Sequence, residues 1–303
     1  MSFSAEAKRE LCRQGISRRC CAQAEAYGIL LYCNTFNNRE IRIITESPYL
    51  KSRLPVLFRK AFHVTFDAVP GEGEKKGTFL IQDPEKLRAI FEVFGHEMES
   101  APSIHVNFAV LEEEHCRTAF FRGVFLAGGS VTDPGKSYHL ELVTSHYHVG
   151  REVPVLLREA GFEAKETTRK SNYIAYFKQS DHIEDFLTTI GAPVAAMEIM
   201  TSKLERDLRG SVNRRVNCDS ANLDKTVAAA QNQIEAISRL RASGQLASLP
   251  EKLKETAQLR LDNPELTLTQ LAELFTPPVS KSALNHRLRK LVELAENKKN
   301  ESA

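Results

Sequence analysis

An internal repeat in the first two hundred residues constrains the fold of this chain more than any other feature. One order of predicted elements (helix, strand, helix, strand, strand, helix) fits residues 17–96 and fits residues 117–191 again. The opening helices align Tyr27 with Phe121 and the closing helices align Gly95 with Gly191, so the copies are offset by about 94 to 96 residues. Self-similarity at a fixed spacing indicates two copies of one supersecondary unit. The mixed elements therefore predict an α+β fold with two pseudo-symmetric halves.

The hydrophobic pattern assigns the elements within each copy. In the first copy it predicts a helix that ends near Tyr32, a strand at 41–44, a helix at 49–62, strands at 64–69 and 78–81, and a helix at 84–94. In the second copy it predicts a helix at 119–127, a strand at 138–143, a helix at 153–160, a hairpin of 162–168 with 173–178, and a helix at 181–190. Gly71-Glu72-Gly73 predicts the turn of the first hairpin.

Residues 267–296 have the pattern of a DNA-binding helix-turn-helix. Thr267 with Gln270 three residues later is a capping box, and apolar residues follow at helical spacing. Thr276-Pro277-Pro278 ends this helix because proline cannot continue it, and Ser280 is a suitable N-cap for a second helix. One face of that second helix is apolar: Leu284, Leu288, Leu291 and Ala295.

The opposite face of the second helix is polar and basic. From Thr276 to Val292 there are four basic residues and no acid. Basic side chains neutralise phosphates, while short polar side chains near the start of a recognition helix reach base edges in the major groove. A solvated basic face on a structural helix is the alternative. We predict base contacts by Ser282, Asn285 and His286, phosphate contacts by Lys281, Arg287, Arg289 and Lys290, and a place for Ser280 at the same surface.

A basic connector joins the repeat to this tail. Its basic residues are Lys203, Arg206, Arg209, Arg214 and Arg215. Arg214 and Arg215 are further candidates for DNA contact, with a charged linker as the alternative. Asn217 and Asp219 are candidate caps of a helix at 221–241, and a helix at 249–261 would complete a three-helix core with the tail, because two helices alone bury too little surface. The predicted organisation is an N-terminal arm (1–16), two halves (17–110 and 111–210), a linker helix (211–245) and a helix-turn-helix domain (246–303).

Composition restricts the class of protein. A hydrophobic fraction of 42% and a charged fraction of 26% are ordinary for a globular protein. With a net charge of +2, affinity for nucleic acid has to come from local patches. No apolar run approaches the roughly 18 residues of a membrane helix, and the charged start argues against a signal peptide. Six cysteines without a C-x-x-C pair argue against a zinc site or a disulfide framework and for a reducing cytosol. We expect no metal and no cofactor.

The opening helix of the second copy, residues 121–131, resembles the LAGLIDADG motif of homing endonucleases. In that family two such helices pack closely at a pseudo-two-fold axis, and four-stranded sheets form a saddle over DNA. The resemblance implies that Gly28, Gly123, Ala127 and Gly128 permit the close approach. It also implies that the two halves here, of αββαββα type, form such a saddle.

A LAGLIDADG domain followed by a helix-turn-helix is similar to the WhiA family of bacterial regulators. The matching strings are residues 1–11, 125–131, 213–222 and 279–291, of which the last two are specific. The resemblance implies a cytoplasmic, nucleoid-associated protein of Gram-positive bacteria that binds double-stranded DNA sequence-specifically. It further implies transcription regulation in cell division and chromosome segregation, and in sporulation in spore formers. A second regulatory or division protein is a further implied partner, and no membrane is involved.

An active LAGLIDADG endonuclease is the alternative function. Those enzymes hold Mg²⁺ with one acid at the end of each motif helix, because the metal activates water and stabilises the leaving oxygen. The matching positions are Asn34, which has no charge, and Gly128, which has no side chain. Asp133 is nearby, but it lies in a sequence that predicts a turn. We therefore predict a protein that is not an enzyme. A division or chromosome-organising protein that acts through a partner on the saddle is a second alternative.

Two other candidate sites are weaker. His146 and His148 could ligate a metal, but the sequence offers no partner for them. Residues 71–77 are rich in glycine but lack the lysine-serine ending of a Walker motif, so they predict a hairpin loop.

Overall fold

The computed structural model describes residues 2–71, 73–96 and 104–297. The chain divides into two compact units, Met1–Asp207 and Leu208–Ala303. Glu72 of the predicted turn, residues 97–103 of the predicted first half and residues 298–303 of the predicted C-terminal domain lie outside the described residues.

Among its described residues, the first half of the first unit contains four α-helices and a small antiparallel sheet. Its elements are α1 (Phe3–Cys12), α2 (Arg19–Tyr32), β1 (Thr35–Phe36), β2 (Ile41–Thr45), α3 (Pro48–Phe62), β3 (Gly77–Ile81) and α4 (Pro84–Val93). The strands lie in the order β1-β2-β3. Ser47 and Asp83 cap α3 and α4 by accepting hydrogen bonds from backbone N–H groups of the first turn, which fixes where each helix begins.

The strand expected at 64–69 does not form. Ala68 makes a single antiparallel bridge with Leu80, and the rest of the segment is irregular. The Asp67 carboxylate instead accepts hydrogen bonds from the backbone N–H groups of Gln82 and Asp83, at 2.6 and 2.9 Å. These side-chain hydrogen bonds take the place of the regular backbone hydrogen bonds between strands. The described residues of the first half therefore form three strands, whereas the second half has four.

The second half repeats the arrangement with a complete sheet. Its elements are α5 (Glu114–Gly128), β4 (Gly129–Val131), β5 (Leu140–Thr144), α6 (Tyr147–Glu159), β6 (Lys165–Arg169), β7 (Asn172–Phe177) and α7 (Ser180–Ile190). The strands are all antiparallel, in the order β4-β5-β7-β6. Gly191 adopts a φ of 100° after α7, as the predicted glycine stop requires. The α+β class and the two related halves are thereby confirmed.

Helices α2 and α5 form the centre of the first unit, and their backbones touch at two glycines. A Cβ atom on Gly28 would lie 2.2 Å from the Phe120 carbonyl oxygen, and one on Gly123 would lie 2.0 Å from the Glu25 carbonyl oxygen. Nearly all of α2 from Ala22 to Tyr32 is buried, with residue 23 half-exposed. The close approach implied for Gly28 and Gly123 is therefore present, because no side chain fits between these backbones.

A buried ion pair joins the elements around this centre. Arg53 on α3 donates to both carboxylate oxygens of Glu25 on α2, at 2.5 and 2.8 Å. Arg53 also donates to the carbonyl oxygens of Cys12 and Gln14. It therefore links α3 to α2 and to the end of α1 and the segment that follows it. Helix α1 packs on the same core through Phe3, Ala7 and Leu11.

The second unit is helical. Its elements are the end of α8 (Pro193–Ala242), α9 (Glu251–Asp262), α10 (Leu268–Glu273) and α11 (Lys281–Asn297). The predicted linker helix does not begin near residue 221, because α8 starts at Pro193 and runs through Asn217 and Asp219. These two residues are exposed, and an exposed Asn or Asp costs a helix interior less than about 1 kcal/mol, which is too little to end it.

Candidate nucleic-acid interface

The second helix of the helix-turn-helix begins where its sequence predicts. The Ser280 hydroxyl accepts a hydrogen bond from the backbone N–H of Ala283 at 3.1 Å, which caps the first turn of α11. Leu284, Leu288 and Leu291 are fully buried along one side of the helix. The spacing of three and four residues therefore fixes which face of α11 is left for a ligand.

Helix α10 is held at a defined start and end. Thr267 and Gln270 form the predicted capping box. At the other end the Val279 N–H donates to the Ala272 carbonyl oxygen at 3.1 Å, across the turn that contains the two prolines. Leu271 and Ala272 are buried against the apolar side of α11, so the two helices form one unit with a short, bonded turn.

Helix α9 and the end of α8 complete the core under this pair. Ile237 and Leu240 from α8 and Leu253 and Ala257 from α9 pack with the buried leucines of α11. Arg260 is 1% exposed and donates to the Leu266 carbonyl oxygen at 2.7 Å. Its Nε also donates to the Gln233 side chain at 3.0 Å. Burial lowers the pKa of Arg260, and these two acceptors compensate for the lost water.

The face of α11 opposite to the core is exposed, and between Lys281 and Val292 its charged residues are all basic. The structure exposes seven of the eight predicted contact residues of this region: Ser280, Lys281, Ser282, Asn285, His286, Arg289 and Lys290. The polar candidates for base contact lie in the first two turns, and the basic residues lie before and after them. A charged, solvent-facing surface of this kind is available to a phosphate backbone.

Arg287 is placed differently from the other basic residues. It is half-buried, and its guanidinium carbon lies 5.4 Å from the centre of the Phe275 ring. Position 287 lies three residues after Leu284 and four before Leu291, both buried, so its side chain borders the core side of the helix. This cation–π contact stabilises the turn between α10 and α11, and it separates Arg287 from the exposed phosphate-contact set.

Four of the five basic residues of the connector divide into two groups. Lys203 pairs with Asp181, and Arg206 donates to the Pro134 carbonyl oxygen and lies 4.5 Å from the centre of the Tyr138 ring. These two belong to the packing of the first unit. Arg214 and Arg215 are exposed on α8, and no ion pair is found for either of them among the described residues.

Of the two positions that correspond to nuclease acids, Asn34 lines a cavity of the first unit, and Gly128 directly follows one of its lining residues. Asn34 and Ala127, the neighbour of Gly128, line it together with Lys8 and Glu46. The Asn34 side-chain oxygen accepts a hydrogen bond from the Ile44 N–H at 2.8 Å, so it serves the backbone. Burial lowers the pKa of Lys8 to about 8. Among the lining residues Glu46 alone has a carboxylate.

Gly128 leaves no room for a second acid. A Cβ atom at this position would lie 2.4 Å from the Tyr32 ring and 2.5 Å from the Val143 carbonyl oxygen. The absence of an acid here is therefore built into the packing of α5 against α2 and β5. A two-metal arrangement of the endonuclease type needs a carboxylate from each helix, and the packing around Gly128 leaves no space for one of them.

The fold brings together two groups of side chains that can bind a metal. The spacing of these residues along the chain did not indicate either group. One consists of Cys20, Cys21, His115 and Cys116, and the other of His105, His148 and Glu152. His146, which the sequence paired with His148, is absent from the second group, and its Nε2 is buried without a hydrogen-bond partner among the described residues. The repeat offset was the available signal for the first group, because Cys21 and His115 are 94 residues apart, as are the opening helices.

None of the helices in the described part of the chain has the length and apolar composition that crossing a bilayer requires.

Comparison with known proteins shows similarity along the whole chain. The family described as the WhiA LAGLIDADG-like domain matches residues 117–209, and the WhiA C-terminal HTH domain matches residues 212–295. A "Probable cell division protein WhiA" of Ruminiclostridium cellulolyticum is 35% identical over 305 residues, covering 98% of this chain and 97% of the relative. A protein of the same name from Desulfitobacterium hafniense is 37% identical over 313 residues, covering 100% of this chain and 98% of the relative. The crystal structure of full-length DUF199/WhiA from Thermatoga maritima aligns with a TM-score of 0.60 at 26% identity, covering 98% of this chain and 99% of that one.

Proposed function

This chain belongs to the WhiA family, and we propose that it is a non-catalytic, sequence-specific binder of double-stranded DNA that regulates transcription. Its processes are cell division, chromosome segregation and, in a spore-forming host, sporulation. Relatives named as probable cell division proteins support the first of these. A protein with this function acts at the nucleoid in the cytoplasm.

The exposed face of α11 is the observation on which the proposal rests. Lys281, Arg289 and Lys290 are exposed there, and no acid occurs between Thr276 and Val292. Each phosphate neutralised by such a side chain contributes about −0.9 to the slope of log affinity against log salt concentration. Three contacts per chain would therefore give a slope near −3, to which Arg214 and Arg215 would add.

Base recognition is assigned to the polar residues of the same face. Asn285 lies in the second turn of α11, where an Asn side chain can bond both N6 and N7 of adenine. Ser282 and His286 flank it on the exposed face. A good bidentate contact discriminates against the wrong base by about 1–3 kcal/mol, which is about 5- to 150-fold in affinity.

The absence of nuclease chemistry is proposed from the packing around Gly128. The clash with Tyr32 and Val143 excludes a carboxylate at one of the two required positions, and Asn34 offers a neutral oxygen that already accepts a backbone hydrogen bond. We therefore assign the first unit to DNA or protein binding without Mg²⁺-dependent cleavage.

Two substitutions in the full chain test the partition between bases and phosphates. In anisotropy titrations on a selected duplex and on a scrambled one, Arg289→Ala should weaken binding to both and reduce the salt slope by about 1. Asn285→Ala should weaken binding to the selected duplex only. Lys225→Ala, which removes an exposed lysine of α8 outside the proposed contact set, should match wild type. Wild-type affinity and preference in both α11 variants would refute the proposal.

A function through a protein partner is the second candidate, and an exposed apolar row on α8 favours it. Five apolar residues recur at spacings of four, four, seven and four and are each 58–67% exposed: Leu208, Val212, Val216, Leu223 and Val227. Large apolar side chains in a row on one helix are typical of an interaction surface. Weak, scattered DNA occupancy by the wild-type chain would favour this candidate over sequence-specific regulation.

A further inference from the structure

The N-terminal ends of α2 and α5 each present two adjacent side chains that can bind a metal. Cys20 and Cys21 lie in the first turn of α2, and His115 and Cys116 lie in the first turn of α5. One ligand atom from each of the four lies within 4.8 Å of all the others. The Nδ1 atom of His115 is 3.5 Å from the Sγ of Cys21 and 3.2 Å from the Sγ of Cys116.

This cluster follows from the pseudo-symmetry of the first unit. The two helices are the opening helices of the two copies, and Gly28 and Gly123 hold their backbones in contact. Their N-terminal ends are therefore brought together at the axis that relates the halves. Because the ligands come from segments 94 residues apart, no short cysteine motif appears in the sequence.

We propose that Cys20, Cys21, His115 and Cys116 bind one zinc ion, which ties the N-terminal ends of α2 and α5 together. Three sulfur atoms and one imidazole nitrogen are a donor set of structural zinc sites. Tetrahedral bonds of about 2.3 Å to sulfur place donor atoms roughly 3.8 Å apart, so the present separations need to contract by about 1 Å at most. Soft thiolates select zinc over magnesium or calcium.

The surroundings of the cluster suit a zinc–thiolate complex, whose net charge is negative. Burial and the neighbouring thiol groups raise the pKa of Cys21 and Cys116, so zinc has to displace the protons of these thiols when it binds. The partially positive backbone N–H groups at the two helix N-termini stabilise the thiolates that result. Three thiolates, one neutral imidazole and Zn²⁺ have a net charge of −1, and Arg18 lies close enough to Cys21 to offset it. Cys116 is buried, Cys21 and His115 are half-buried, and Cys20 is exposed, so an ion can enter from the side of Cys20.

Metal content of the full chain tests the proposal. Protein purified under reducing conditions, loaded with zinc and desalted, should contain about one zinc per chain by mass spectrometry. Cys116→Ser and His115→Gln should lower zinc affinity by at least about tenfold. Cys20→Ser changes the exposed ligand, where folding is least affected, and should do the same. The matched control is Cys218→Ser, which removes an exposed cysteine of α8 outside the cluster.

Spectroscopy and redox state distinguish the outcomes. Cobalt(II) added to the metal-free chain should give the intense sulfur-to-cobalt and tetrahedral ligand-field bands of a thiolate site, and these bands should be lost in Cys20→Ser. Removal of zinc by a chelator should lower the melting temperature of wild type and leave that of Cys20→Ser unchanged. A wild-type chain that binds neither zinc nor cobalt at equimolar concentration, or that instead forms a Cys21–Cys116 disulfide with no metal, would overturn the proposal.

Discussion

Replacement of Gly28 or Gly123 by alanine should separate the two central helices. A Cβ atom on Gly28 would lie 2.2 Å from the Phe120 carbonyl oxygen and 2.8 Å from the Val124 nitrogen. Real Cβ contacts essentially never fall below 3.0 Å, so the backbones have to part locally by about 0.8 Å. Both partners are helix backbone, so no flexible side chain can move aside.

The expected cost is the difference between two opposing terms. Overpacking a close-packed core costs about 1–3 kcal/mol and occasionally more, while glycine to alanine in a helix interior gains about 1 kcal/mol. The overpacking cost should lie near the upper end of its range, because the contact between α2 and α5 is buried. We therefore expect Gly28→Ala to lower the free energy of unfolding by about 2 kcal/mol. The double variant with Gly123→Ala should cost less than the sum of the single ones, because both require the same separation.

Tyrosine signals allow the first unit to be followed separately. All seven tyrosines lie between residues 27 and 176, and the chain has no tryptophan. Urea unfolding monitored by tyrosine fluorescence therefore reports the first unit. Gly15→Ala, with no heavy atom within 4 Å of the new Cβ, is the control in the same unit. Equal midpoints and slopes for Gly28→Ala and Gly15→Ala would refute the argument from close packing.

Three further predictions concern buried charges. Glu25→Gln leaves the Arg53 guanidinium buried without its counter-charge and should cost about 3–5 kcal/mol in the same urea assay; a variant as stable as wild type would exclude a structural ion pair. Burial lowers the pKa of Lys8 to about 8 in the folded chain, whereas its value in the unfolded chain is 10.5. Between pH 8 and pH 10.5 the unfolded chain therefore binds more protons than the folded chain. The free energy of unfolding should rise with pH across this window. This rise should be smaller in Lys8→Met, and identical pH profiles would contradict it. Arg260→Met leaves the Leu266 carbonyl and the Gln233 side chain without their donor and should lower the stability of the second unit by about 1–3 kcal/mol in thermal circular dichroism, whereas an unchanged melting temperature would count against this network.

The sequence predicted most helices of the fold because their signals are local. Caps at Thr267 and Ser280, a glycine stop at Gly191 and apolar spacing on α11 each depend on a few neighbouring residues. The short strands β1 and β4, of two and three residues, were missed because they are too short for an alternating pattern. The strand at 64–69 was wrong, since Asp67 bonds the backbone of a different segment.

The parts of the candidate sites that could not be predicted depend on long-range packing. Exposure of Asn285 and Arg289 follows from helical period alone, whereas the contact of Arg287 with Phe275 depends on how the turn folds back. The cysteine and histidine cluster was missed, and a zinc site was argued against, because its members meet only when the two halves pair about their axis. Sequence showed that residue 128 is a glycine, but only the packing shows that no acid fits there.

Selection of genomic DNA fragments by the full chain tests the central claim most directly. Sheared genomic DNA is incubated with wild type or Asn285→Ala, with and without Mg²⁺, and the bound fraction is sequenced. Wild type should enrich one short sequence, Asn285→Ala should bind without that preference, and fragment ends should be the same with and without Mg²⁺. Equal enrichment by both chains, or new fragment ends that appear only with Mg²⁺, would contradict base recognition by α11 or the loss of nuclease chemistry at Asn34 and Gly128.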